Sequence, residues 1–108
     1  MIYTLNEIRN IIAPIAVKYQ IPAIFIFGSY ARGTANEESD LDLLVDTAGT
    51  NLKSLFALGA LYSELEEALG KPIDLITVNS LQQEAQMPSD LSFRAEVMKE
   101  RVPLYAVA

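Results

Sequence analysis

The sequence predicts an α+β domain, a small mixed β-sheet flanked by helices, and two observations carry that reading. Apolar residues recur at helical spacing around residues 8–19 and 52–69. Between and after them stand short runs rich in β-branched and aromatic residues, at 23–27, 40–46 and 73–78, each the length of a strand. The 108 residues contain no repeat, linker or low-complexity segment and read as a single domain, 1–108.

Each element has a local cause. Thr4 followed by Glu7 forms a capping box, and it opens the series Ile8, Ile11, Ile12, Ile15 and Tyr19, one face of a helix. Pro14 is expected to kink that helix or end its first part, because it lacks an N–H and crowds the preceding turn. Pro22 leads into the buried strand 23–27, which Gly28 halts. Residues 30–32 read as a short helix and 33–39 as a polar loop, before the strand 40–46. Leu52, Leu55, Phe56, Leu58, Leu61, Tyr62, Leu65 and Leu69 predict a long amphipathic helix over 51–69, with Gly70 placed to stop it. Pro72 starts a third strand, 73–78. Residues 80–101 read as helical with a break around Met87-Pro88-Ser89, and 102–107 as an edge strand that tolerates Pro103.

Composition narrows the chemistry. Fourteen acidic residues against eight basic ones give a net charge of −6, the wrong sign for general nucleic-acid binding. With no cysteine and no histidine, disulfides, thiolate sites and imidazole catalysis are excluded. Catalysis must run on carboxylates, hydroxyls, Lys, Arg or a bound metal. The N-terminus lacks a signal-peptide pattern, and no apolar stretch approaches the roughly 20 residues that span a bilayer. The expectation is a soluble, cytoplasmic protein.

Asp40 and Asp42 lie two apart in a strand, so they project from one face with Cα atoms ~7 Å apart, while Leu41, Leu43 and Val45 point to the core. Two carboxylates at that spacing can bracket a hard cation or a metal pair. Alone, Asp-x-Asp at a strand mouth is more often simply solvated. Gly28-Ser29 follows a hydrophobic strand and precedes a helix start, where unpaired N–H groups bind anions and glycine permits close approach. Alone, that pair is more often a turn with Ser29 as a cap. Together, a phosphate site and a metal site ten residues apart are what a nucleoside triphosphate requires. Asp46 lies ~13 Å from Asp42 along the strand, too far to share its metal, and reads as a strand terminator. Glu37 and Glu38 read as a solvated pair, and Ser39 as a residue that caps or orients Asp40.

The segments Phe27-Gly28-Ser29-Tyr30-Ala31-Arg32-Gly33 and Ser39-Asp40-Leu41-Asp42-Leu43-Leu44-Val45 resemble the signature of the DNA polymerase β-type nucleotidyltransferase superfamily. The form Gly-Ser-x-Ala-Arg-Gly followed by Ser-Asp-x-Asp is particularly close to its minimal nucleotidyltransferases, the MNT domains. The resemblance covers residues 25–46 closely; elsewhere it rests on length, element order and the ending Arg101-Val102-Pro103-Leu104-Tyr105.

The resemblance implies the polymerase β-type nucleotidyltransferase fold, Gly28 and Ser29 on the β/γ-phosphates of ATP, and Asp40 and Asp42 as Mg²⁺ ligands. It implies a third carboxylate on a later strand, a place that Asp74 fits, either on a second metal or as acceptor of the attacking hydroxyl's proton. A hydrogen-bonded strand-edge Asp is the plainer reading of Asp74. Arg32 would contact phosphates or the acceptor, or merely neutralise the acidic cluster; Arg94 would join the nucleotide pocket or a surface ion pair. The implied partner is a HEPN-domain toxin, inactivated in a toxin–antitoxin module by transfer of AMP to one of its tyrosines, with a homodimer or a toxin complex as the assembly. Two alternatives stay open at this point: an antitoxin acting by binding alone, and a nucleotidyltransferase for a small molecule.

Overall fold

The computed structural model describes residues 2–82 and 88–107. Helix α1 (Leu5–Lys18) begins at the capping box: the Thr4 hydroxyl accepts from the Glu7 N–H and the Glu7 carboxylate accepts from the Thr4 N–H. The helix runs on through Pro14 rather than ending there. Pro14 is exposed, while Ile8, Ile12, Ile15 and Ala16 bury the opposite face. The burial outweighs one missing hydrogen bond.

Strand β1 (Ala23–Phe27) is followed at once by the one-turn helix α2 (Gly28–Arg32), two residues earlier than the sequence predicts. Gly33, at φ +77°, closes it. Strand β2 (Leu41–Asp46) ends where the Asp46 carboxylate accepts from the Ala48 N–H, the terminating role expected of it. Helix α3 (Leu55–Leu69) starts four residues later than predicted. The Thr50 hydroxyl bonds the Thr47 carbonyl and accepts from the Leu52 N–H, which holds 47–52 in turns. Ser54 then caps α3 through the Ala57 N–H. Leu52 is still buried, but from a loop. Gly70, at φ +66°, ends α3 as expected.

Strand β3 (Ile73–Thr77) stops one residue short of its predicted end, because the Thr77 hydroxyl accepts from the Ser80 N–H and turns the chain into helix α4 (Val78–Gln82). Helix α5 (Pro88–Glu100) contains Pro88 and Ser89, placed in the sequence at a break; Met87 lies outside the described residues. Strand β4 (Val102–Ala106) is the expected edge strand.

The sheet order is β3-β2-β1-β4, with β2 and β3 parallel and the other pairs antiparallel. Alternation along the strands divides the molecule. Ile24, Ile26, Leu41, Leu43, Val45 and Ile73 face α1 and α3 and join the main core with Leu61, Leu65 and Leu69. The opposite face buries Phe27 and Leu44 against Val97 of α5, a much smaller core. Among the described residues, no helix is long and apolar enough to cross a membrane.

Candidate active site

The strand register assembles the carboxylates. Phe27 pairs with Asp42 across β1 and β2, and Asp42 pairs with Asp74 across β2 and β3. Residues opposite each other in register share a face, so Asp42 and Asp74 stand side by side at the rim of the smaller core. Asp40, one residue ahead of β2, is exposed at its mouth. A cavity of about 580 Å³ lies at the other end of the same strands, among Asp46, Lys53, Thr77 and Asn79.

Gly28 comes next to Asp42 because it follows Phe27 directly. Its φ is +73°, and a Cβ at this position would overlap Oδ2 of Asp42. Glycine is thus required twice, for the backbone conformation and for the close approach of a carboxylate. The preceding Phe27 gives α2 no side-chain cap, so the N–H groups of this turn keep their binding capacity for another acceptor.

Burial above all raises the Asp42 pKa, to about 6; a hydrogen bond with Asp74 and the negative charges of Asp74 and Asp40 add to the shift. Arg32 pulls in the opposite direction. Its guanidinium donates to Glu100 at 3.0 Å and so joins α2 to the end of α5. Arg32 therefore lowers the Asp42 pKa somewhat and braces two elements. Ser39 does not orient Asp40: its hydroxyl accepts from the Asn36 N–H inside its own loop. Glu37 and Glu38 are exposed, as expected. Arg94 lines a cleft with Ile76, Ser80, Leu81 and Phe93 between β3, α4 and α5.

Among the described residues, no three acidic side chains are gathered tightly enough to cage a metal alone. That suits Mg²⁺, which keeps several waters and is held by one or two carboxylates plus substrate phosphates. The donor set fits it chemically: hard oxygens, with a like-charge pair that a cation would relieve.

Sequence reasoning missed three features beside the site: one residue pair and two single residues. Lys71 and Tyr30 form a buried pair, and Glu100 holds Arg32. Tyr62 on α3 is the third: its hydrogen bond to Glu66 raises its pKa first, and the charges of Asp74 and Asp40 also reach it. Only the helical pair Tyr62/Glu66, four residues apart, was visible as spacing.

A fold of this kind with these motifs defines a nucleotide-transferring class, and comparison with known proteins agrees. Residues 7–104 match the family model described as nucleotidyltransferase domain. MJ0435 of Methanocaldococcus jannaschii, by name a candidate protein adenylyltransferase, is 47% identical over 77 residues, covering 71% of this chain and 81% of that protein. The protein adenylyltransferase MntA of Thermococcus cleftensis is 38% identical over 82 residues, covering 72% and 81%. Among solved structures, a toxin–antitoxin complex with AMP-PNP superimposes with a TM-score of 0.69 at 25% identity, covering 92% of this chain and 73% of that one. The chain belongs to the nucleotidyltransferase domain family, as a minimal nucleotidyltransferase of the protein adenylyltransferase type. The fold and enzyme class read from the motif are therefore borne out.

Proposed function

We propose that this chain, as one domain over residues 1–108, is an Mg²⁺-dependent antitoxin that transfers AMP from ATP to a tyrosine of a HEPN toxin. The observation that carries the reading is the Gly28–Asp42–Asp74 juxtaposition, in which an obligatory glycine presses a phosphate-binding turn against paired carboxylates. Relatives named protein adenylyltransferase support the reaction, and solved relatives in toxin–antitoxin complexes, one with AMP-PNP, support the partner and the donor. A chain of the complex between a tri-AMPylated Shewanella oneidensis HEPN toxin and its MNT antitoxin has a similar fold.

In this reading, the N–H groups around Gly28 and the Ser29 hydroxyl hold the β- and γ-phosphates, and Asp40 and Asp42 would hold the metal together with those phosphates. A metal bound there would supply charge neutralisation for the triphosphate and polarisation of the phosphorus under attack. Arg32 offsets the charge gathered at the site. The toxin's tyrosine oxygen bonds to the α-phosphorus while the bond to the β-phosphate oxygen breaks. Pyrophosphate leaves in line, and Asp74, exposed at the rim, accepts the phenol proton. The chain itself contributes positioning and charge, the terms on which phosphoryl chemistry mainly depends.

An Asp40→Asn/Asp42→Asn double variant, incubated with labelled ATP, Mg²⁺ and a HEPN-domain partner protein, tests the reading. Wild-type protein labels the toxin and the variant does not. If the variant neutralises the toxin as well as wild type at equal expression, binding alone suffices and the catalytic reading fails.

A further inference from the structure

Lys71 is among the few buried polar residues of those described, with 9% of its surface exposed. A Lys ammonium is costly to bury, so a position that only needed filling would favour an apolar residue. Tyr30 is one of its partners. Nζ donates to the Tyr30 hydroxyl at 2.8 Å and lies 5.2 Å from the centroid of the Tyr30 ring. Tyr30, itself 5% exposed, is the central residue of α2, immediately after Gly28-Ser29.

The residues after Lys71 reach the rest of the site. The Pro72 carbonyl accepts from the N–H of Leu41, the residue between Asp40 and Asp42, at 3.2 Å. Two residues further on, Asp74 stands in register with Asp42. One corner of the chain, 71–74, therefore touches the phosphate turn through a side chain, touches the Asp-x-Asp segment through its backbone, and carries the third carboxylate.

We infer that Lys71 is a positioning residue, whose buried ammonium on Tyr30 sets the Gly28-Ser29 turn relative to Asp42 and Asp74. The inference rests on the catalytic reading of those residues. Without the tie, α2 is free to tilt by a fraction of an ångström from the carboxylates. Transfer geometry is sensitive on that scale, where about 1 Å of misplacement costs on the order of a hundredfold.

The test compares Lys71→Met, Lys71→Arg, Tyr30→Phe and the Lys71→Met/Tyr30→Phe double variant with wild type and Asp42→Asn. Each is assayed with ATP, Mg²⁺ and the HEPN partner for kcat, for KM of both substrates and for Tm. Lys71→Met should lower kcat about ten- to a hundredfold at temperatures well below its Tm. KM for the HEPN protein should stay unchanged. Lys71→Arg should restore most of the rate, and the double variant should be no slower than the slower single variant. Tyr30→Phe removes only the hydroxyl and keeps the test usable if Lys71→Met folds poorly. A lowered Tm with wild-type kcat in both single variants overturns the inference while leaving the site reading intact, provided Asp42→Asn is inactive. If Asp42→Asn transfers AMP at the wild-type rate, the site reading fails and the inference falls with it.

Discussion

At the scale of single residues, Gly28 and Asp42 are the most constrained pair. Gly28→Ala should place a methyl group on a carboxylate oxygen in a backbone conformation that itself costs about 1–2 kcal/mol for an L-residue. The expected outcome is a lowered Tm and loss of adenylyl transfer by at least tenfold, measured by labelled-ATP assay on protein that circular dichroism shows to be folded. Asp42 makes the metal-free protein pH-dependent. Its pKa is raised in the fold, so its protonated form is the one the fold favours. Stability from this group is fully present below the ordinary carboxylate range and lost as pH rises through about 6. Tm of the metal-free protein should carry a component that falls between pH 4 and 7, and Asp42→Asn should abolish that component. A flat difference between wild type and variant across this range would refute it. How much of this was legible differs from residue to residue. Asp40, Asp42, Gly28 and Ser29 stood out because the Gly-Ser turn and the Asp-x-Asp pair occur together, neither being diagnostic alone. The contact of Gly28 with Asp42 did not, since it depends on the register between β1 and β2. Lys71 was invisible for a similar reason: a Lys between Gly70 and Pro72 looks solvated until the fold brings Tyr30 to it.

At the scale of elements, local signals worked where one residue controls a boundary. The capping box placed α1, and Gly70 ended α3. They failed where apolar spacing continued past a turn. Leu52 fits the helical series of 55–69, but the Thr50 hydroxyl spends its hydrogen bonds holding the turn before it, and Ser54 starts the helix instead. Ser54→Ala should therefore cost about 1 kcal/mol, the usual loss for a capping hydroxyl. In a domain of this size, that corresponds to a fall in Tm of about 4–8 °C by calorimetry. Ser39→Ala, whose hydroxyl serves only its own loop, should leave AMP transfer unchanged, contrary to the orienting role the sequence implied for it. Helices α1 and α3 are also joined by Glu64, which accepts from both Lys18 and the Tyr19 hydroxyl. The hydrogen bond from Lys18, followed by the one from Tyr19, lowers the Glu64 pKa. Its contribution is thus present above the ordinary carboxylate range and lost as pH falls, opposite in sign to that of Asp42.

At the scale of the whole molecule, the sheet separates stability from activity. The α1/α3 face holds most of the buried aliphatic side chains, whereas the α5 face buries chiefly Phe27, Leu44 and Val97 and carries Asp42 and Asp74 at its rim. Such a domain is stable by only about 5–15 kcal/mol, so a large cavity in the main core is close to decisive. Leu65→Ala, at a fully buried position, should cost about 2–5 kcal/mol and lower Tm steeply. The protein that remains folded should still transfer AMP at nearly the wild-type rate, because Asp42 and Asp74 project from the opposite face of the sheet. Val97→Ala removes less volume and should cost about 1–2 kcal/mol. Yet it loosens α5, the helix that covers the site's face and holds Arg32 through Glu100. Its kcat should fall further than that of Leu65→Ala even though its Tm falls less. Assaying both variants at a temperature well below either Tm separates the two quantities. Activity that simply tracks Tm across the pair would mean that the two faces act as one cooperative unit, with no division of labour between them.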